Sequence, residues 1–165
     1  MKAKHAVLLV FLALAGPVLV FLFLKTFGRN EYHVAPLYEQ VTRGPIDGCP
    51  YNYDAPYRVA DSVMSRLSAN RNDSLFVVYF NRSDVTAINR VRTEFVNDPV
   101  AIVGPENVEQ DFDAPWLRKC VFLMEGDTAI ALVDHKNRIR GNYKGADRDD
   151  VDRLLVEMKI ILKKY

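Results

Sequence analysis

The chain has 165 residues, an apolar fraction of 49%, and 22 basic against 21 acidic side chains, which give a formal net charge of +1. This length suits one domain with an accessory segment, so a single core is expected. The near-balance of charge excludes the clustered basic excess that nucleic-acid binding requires, so we expect no nucleic-acid partner.

The first predicted element is an apolar helix. Ala6 to Leu24 reads AVLLVFLALAGPVLVFLFL, without one charged or amide side chain. At the α-helical rise this run is roughly 28 Å long, close to the hydrocarbon thickness of a bilayer. A cleaved signal peptide is the alternative, but the run is longer than a signal core and no small-residue cleavage site comes after it. We therefore expect residues 1–25 to form a cytoplasmic stub and a transmembrane anchor in the lipid bilayer.

The flanks of this helix bear on the location of the rest of the chain. Lys2 and Lys4 precede the run while Lys25 and Arg29 come after it, so charge gives only a weak preference for orientation. A first apolar segment near the start of a chain usually leads to export of the domain behind it. We expect a single-pass protein of the bacterial inner (cytoplasmic) membrane, with its C-terminal domain on the periplasmic side.

Residues 26–57 are rich in proline, glycine and tyrosine. Fixed φ angles at the prolines and the conformational freedom of the glycines disfavour long regular elements. The tyrosines, Leu37 and Ile46 are apolar enough to pack against a neighbouring surface. This segment is predicted to be a tether whose second half packs partly on a domain formed by residues 58–165.

Helical and strand patterns alternate in the first half of that domain. Val63 and Leu67 place an amphipathic helix over residues 61–69, and the unbroken apolar run Leu75 to Phe80 predicts a central strand covered on both faces. A second helix, capped by Ser83 or Asp84, is predicted from four apolar positions: Val85, Ile88, Val91 and Phe95. Val100 to Val103 is predicted to be another buried strand, parallel to the first.

The second half is predicted to be a loop, a hairpin and a helix. Residues 104–115 are acidic and loop-like, while 129–133 and 138–143 flank a turn and indicate a β-hairpin. Asp147 is a suitable N-cap for a final helix. Its apolar face comprises Val151, Leu154, Leu155, Met158, Ile161 and Leu162.

This order of elements is that of an α/β, thioredoxin-like domain: a central mixed sheet flanked by helices, here behind a transmembrane helix. The hairpin and final helix resemble the C-terminal signature of the SCO/SenC family, membrane-anchored thioredoxin-fold proteins that help to metallate the copper centre of cytochrome c oxidase. Residues that match its hairpin pattern are Leu132, Val133, Asp134, Ile139, Arg140, Gly141 and Tyr143. Asn137 stands at the turn glycine, and asparagine also tolerates the left-handed conformation.

The resemblance breaks at the metal site. The family binds copper through a Cys-x-x-x-Cys motif after the first core strand and a His before the hairpin. Here Val78 to Ala87 contains neither cysteine nor histidine, and Gly126 to Thr128 occupies the region of the His. Copper(I) prefers soft thiolates, which serine and aspartate do not replace. The sequence therefore predicts that the family's metal site is absent, and with it a Cys-x-x-Cys redox motif.

Cys49 and Cys120 are the only cysteines, 71 positions apart. They allow three interpretations: a structural disulfide in an oxidising compartment, two separate thiols, or a redox or copper(I) pair that includes His33 as a further weak candidate ligand. No catalytic residue is identified, and no cofactor other than copper is indicated. His135 is interpreted as a solvated turn residue.

The resemblance implies a role in the assembly of respiratory cytochrome c oxidase or an allied redox task outside the cytoplasm. Because the copper motif is missing, we expect the protein to act by binding a partner, such as oxidase subunits or other assembly factors, and not as an enzyme. Two alternatives stay open. One is a thiol-disulfide oxidoreductase that uses Cys49 and Cys120, and the other is a structural accessory protein of the membrane.

Overall fold

The structure, a computed structural model, describes residues 2–27, 32–40, 46–50, 53–67 and 73–163. The chain divides into two compact units, Met1–Tyr32 and His33–Tyr165. The main elements are α1 (Lys2–Phe27), α2 (Asp61–Leu67), β1 (Leu75–Tyr79), α3 (Val85–Glu94), β2 (Val100–Val103), α4 (Pro105–Asp111), α5 (Ala114–Trp116), β3 (Ile130–Asp134), β4 (Ile139–Tyr143) and α6 (Arg148–Ile161).

The first unit contains one long helix. α1 has 26 residues and continues through Pro17, and its apolar side chains from Val18 to Leu24 are 50–65% exposed. Within the described ranges, no helix combines the length and hydropathy that crossing a membrane requires. The side chains of residues 6–12, which form the first part of the expected anchor, lie outside the described ones.

A four-stranded mixed sheet organises the second unit, with the strand order β2-β1-β3-β4. β1 is parallel to β2 and antiparallel to β3, and β3 is antiparallel to β4. The predicted βαβ unit, central strand and hairpin are therefore confirmed. The prediction of a fully buried strand at residues 100–103 is wrong, because β2 lies at the edge of the sheet and only Val103 is buried.

Alternating strand residues supply two apolar clusters, one on each face of the sheet. On the first face, Phe76 and Val78 of β1 pack with residues from α2 and α4. On the second face, Leu75 and Val77 pack with α3 and α6. The sheet is thus covered on both sides by helices, which explains the continuous apolar sequence of β1.

The prediction of an acidic loop over residues 104–115 is wrong, because Pro105–Asp111 form α4 and Ala114–Trp116 form α5. Pro105 stands at the start of α4, where its missing N–H and fixed φ are compatible with helical geometry. The N–H of Gly104 donates to the side chain of Asn107 at 3.2 Å. Buried Val108 attaches the helix to the first apolar cluster, and the acidic side chains Glu106 and Glu109 face outward.

On the second face, α3 differs from its prediction at its first residue, whereas α6 agrees with its prediction. Val85 is exposed, although its spacing predicts a place on the apolar face of α3, while Ile88 and Val91 are fully buried. α6 agrees with its prediction: the carboxylate of Asp147 accepts the N–H of Asp149 at 2.9 Å, and Leu154 is fully buried.

Residues between His33 and Tyr57 group with the sheet domain. Leu37 donates its N–H to the carbonyl of Ile139 on β4 at 2.7 Å. Tyr53 is buried, and its hydroxyl donates to the carbonyl of Cys120 at 2.9 Å. The described part of the predicted tether from His33 onward is therefore held against the domain by hydrogen bonds and apolar contacts.

Candidate functional site

The candidate site lies where β1 ends and the chain turns into α3. Asn81 accepts the N–H of Ser83 at 3.2 Å and so caps a single 3-10 turn, Arg82–Asp84, that leads into the helix. The sequence predicts this cap at Ser83 or Asp84, but the Asp84 side chain makes no capping bond. Its carboxyl group is consequently available for another role.

A cleft of about 540 Å³ opens beside this turn. It brings together three segments that are distant in the sequence, namely the turn after β1, the residues before β3, and the turn between β4 and α6. The side chains and backbone that line it come from Asn81, Asp84, Asp127, Ala129 and Lys144 to Arg148.

Asp84 is the unusual residue of the cleft. It is only 3% exposed, and its Oδ2 atom has no hydrogen-bond partner among the described residues. Burial raises the pKa of this carboxyl above its ordinary value, because a charged group is poorly solvated there. A buried ionisable side chain in a cleft, with a raised pKa, is a recognised indicator of a functional position.

Gly145 makes room for that carboxyl. A Cβ atom built on Gly145 would lie 2.2 Å from Cγ of Asp84. Any side chain at position 145 would therefore overlap the carboxyl, so the turn between β4 and α6 approaches Asp84 this closely only because residue 145 is glycine.

The mouth of the cleft carries charges of both signs. Lys144 and Asp127 form an ion pair at 2.9 Å, and their mutual hydrogen bond lowers the pKa of Asp127 and raises that of Lys144. Arg148 is 88% exposed and lies 4.0 Å from Asp152. Asp147 is held by its capping bond to α6.

Cys49 and Cys120 form a disulfide bond, with their Cα atoms 5.4 Å apart. Cys120 is 2% exposed and belongs to a π-helical turn, Leu117–Val121. Leu117 and Val121 pack in the cluster of the first face, whereas α3, which comes after the cleft turn, lies on the second. The bond pins the described residues 46–50 to the domain.

His33 is exposed and is not brought to the two cysteines. In the described ranges, no group of three or more His, Cys, Asp or Glu side chains is arranged to hold a metal ion. His135 lies exposed in the β3–β4 turn, where its N–H donates to the carbonyl of Ser74 at 3.1 Å. Thus the structure brings the two cysteines together and leaves His33 and His135 elsewhere.

Sequence reasoning missed the cleft, although Asp84 and Gly145 carried a weak signal. Asp84 lies in the turn that comes after a buried strand, where polar residues often serve function, and Gly145 comes after the last strand. The arrangement can bind a polar or charged group through a buried carboxyl and an ion pair at its mouth. Comparison with known proteins finds no matching family model, no similar curated protein and no similar solved structure.

Proposed function

We propose that this chain is a membrane-anchored, thioredoxin-fold protein of SCO/SenC type. It serves the assembly of respiratory cytochrome c oxidase, or an allied redox task outside the cytoplasm, by binding a partner through the Asp84 cleft. The observation that carries this proposal is the cleft at the end of β1. Asn81, Asp84 and Asp127 line it in the two segments where the family carries copper ligands.

The topology supports the fold assignment. A βαβ unit with parallel strands, then an antiparallel hairpin and a terminal helix, is the element order expected of a thioredoxin-like domain. The strand order β2-β1-β3-β4 joins these parts in one sheet, with α3 and α6 on one face and α2 and α4 on the other. Asn137 adopts φ 59°, as expected at the turn glycine of the family hairpin.

The position of the cysteines favours binding over metal or thiol chemistry. Their sulfurs are bonded to each other, and Cys120 is buried beside the first face. The competing proposal is a thiol-disulfide oxidoreductase, which the existence of one disulfide favours. A structural disulfide resists glutathione, whereas an oxidoreductase pair exchanges with it readily. Counting free thiols in a glutathione buffer of defined potential separates the two.

Copper(I) transfer is tested directly by adding copper(I) anaerobically to the full chain before and after reduction of the disulfide. Our proposal predicts well under one tightly bound equivalent per chain in both states. One equivalent bound by the reduced chain, and lost in a chain with Cys49→Ser, would replace it with a copper role for the cysteines.

The membrane anchor is part of the proposal. Its support is the uncharged apolar run from Ala6 to Leu24, the continuous helix α1 over it, and the disulfide, which is typical of proteins outside the reducing cytosol. We expect the protein in the membrane fraction after an alkaline wash, with the domain digested by protease in spheroplasts but protected in intact cells. Release by the wash would contradict anchoring.

Partner binding is tested by photo-crosslinking from the cleft. A photoreactive residue at Arg148, which is highly exposed and lines the cleft, should capture oxidase subunits or assembly factors in native membranes. The matched control is Lys136, an exposed basic residue in the β3–β4 turn. Equal capture from both positions, or capture of neither kind of partner from Arg148, would contradict the proposal.

A further inference from the structure

We propose that the cleft recognises a cationic group of the partner, a protonated amine or a guanidinium, with the Asp84 carboxylate as its counter-ion. This inference deepens the proposed function and rests on it only for the partner's identity. It concerns the chemistry of the cleft, which can be measured separately with a small probe.

The first step is the unmet bonding capacity of Asp84. An ionised carboxylate accepts several hydrogen bonds, and buried polar groups in folded proteins are nearly always paired. Yet Oδ2 of Asp84 has no partner in the described part of the chain. A bound cation that donates N–H groups would supply the missing partner and form a charge-assisted hydrogen bond.

The second step is the net charge of the groups that line the cleft. Its lining carries three carboxyl groups and two basic side chains. Lys144 is paired with Asp127, and Arg148 lies beside Asp152, so both basic groups face acids of the protein. Neither of these two ion pairs includes Asp84, so neither balances the charge of its carboxylate. The unbalanced charge of the cleft is therefore negative, which favours a cation over an anion.

The third step is space and access. About 540 Å³ is ample for a guanidinium or alkylammonium group. Gly145 packs directly against the carboxyl, so the cation would approach Asp84 from the open side of the cleft and not across this turn. Oδ2 of Asp84 is buried, so a cation reaches it only when the side chains at the mouth move aside. These charged side chains are half to fully exposed and can rotate without a change in the sheet.

The test uses the isotopically labelled full chain in a non-ionic detergent, titrated with N-acetyl-arginine methylamide and observed by NMR. We expect saturable shifts at the Asp84 carboxyl carbon and the Gly145 amide. N-acetyl-citrulline methylamide has nearly the same shape without the charge and should bind at least roughly tenfold more weakly, a difference of about 1.4 kcal/mol. Asp84→Asn should weaken binding of the arginine probe by at least the same factor.

Asp149→Asn is the matched control, because it removes one exposed acidic charge near the cleft without altering its lining. Its affinity for the arginine probe should stay within about twofold of the native value, as expected for a screened surface charge. Well-dispersed spectra of Asp84→Asn would show that it remains folded.

Equal binding of the citrulline probe, or unchanged binding by Asp84→Asn, would overturn the inference. Tighter binding of N-acetyl-glutamate methylamide than of the arginine probe would also overturn it and assign an anionic ligand to Lys144 and Arg148. If the probe fails while crosslinking from Arg148 still captures oxidase partners, only the cationic chemistry falls. If the crosslinks are also absent, the proposed function falls with it.

Discussion

At the scale of single residues, Asp84 combines a buried carboxyl with a position just beyond the C-terminal end of the inner strand β1. Its neighbours from each surrounding element are Asn81 in its own turn, Asp127 before β3, and Lys144, Asp147 and Arg148 after β4. The ion pairs of the basic neighbours join them to other acids. Asp84 therefore lowers stability when ionised, which is a common property of residues kept for binding.

Asp84→Asn should stabilise the chain in a pH-dependent manner. The folded pKa of Asp84 lies above its unfolded value of 3.8, so the folded state holds this proton more tightly. Stability then falls as pH rises from the unfolded pKa through the folded one. The advantage of the variant over the native chain should grow across that window and level off above it, as measured by denaturant unfolding at several pH values. A constant difference would contradict burial of the carboxyl.

Asp134 supplies the control of opposite sign. Burial raises its pKa, but hydrogen bonds from Arg138 and from the Lys136 N–H, together with the Arg138 charge, lower it by more, so its folded pKa lies below 3.8. Its contribution to stability is therefore present above the unfolded pKa and lost as pH falls through the folded pKa. Asp134→Asn should be less stable than the native chain at neutral pH, and this deficit should vanish in acid.

Gly145→Ala should destabilise the chain by about 2 kcal/mol, the usual size of an overpacking penalty. The added Cβ would fall 2.2 Å from Cγ of Asp84, and one of the two must move. Replacing Asp84 by glycine in the same chain removes Cγ and also Cβ, which would lie 2.6 Å from the added atom, so the double variant should regain much of the loss. Additive effects in this double-mutant cycle would show that the two residues are not in contact.

At the scale of elements, strong local patterns predicted β1, the β3–β4 hairpin and α6, because apolar period and capping agree there. α4 was missed because its acids are equally typical of a solvated loop, although Gly104 and Pro105 are typical of a helix start. The exposure of β2 was missed because an apolar run does not reveal whether a strand lies at the centre or the edge of a sheet.

The cleft could not be predicted from local sequence. Asp84 and Gly145 are 61 positions apart, and only the sheet order places the turn after β4 beside the turn after β1. No period or spacing encodes such a contact. The segment Gly126 to Thr128 was singled out through the family resemblance alone, and it lines the same cleft through Asp127.

The disulfide is the covalent attachment of residues 46–50 to the domain, and its removal should weaken the whole fold. It closes a loop of 71 residues, for which chain entropy gives roughly 4 kcal/mol of stabilisation. Cys49→Ser with Cys120→Ser should lower the free energy of unfolding by about that amount, measured with denaturant. The arginine probe should bind the folded variant with native affinity, and lost affinity would link the disulfide to the cleft.

At the scale of the whole molecule, the chain consists of two compact units, the helix α1 and the mixed α/β domain. The membrane anchoring that we propose would restrict this domain to one membrane and raise its effective concentration for a partner in that membrane. Modest affinity in the cleft would then be sufficient for function.

The most direct measurement of this account is cytochrome c oxidase activity in membranes of a bacterium that lacks the gene and carries plasmid-borne variants. We predict that activity falls on deletion and returns with the native chain and with the chain lacking both cysteines. We also predict that Asp84→Asn, though stably folded, does not restore activity. Full oxidase activity in the deletion strain, or rescue that requires Cys49 and Cys120 but not Asp84, would contradict it.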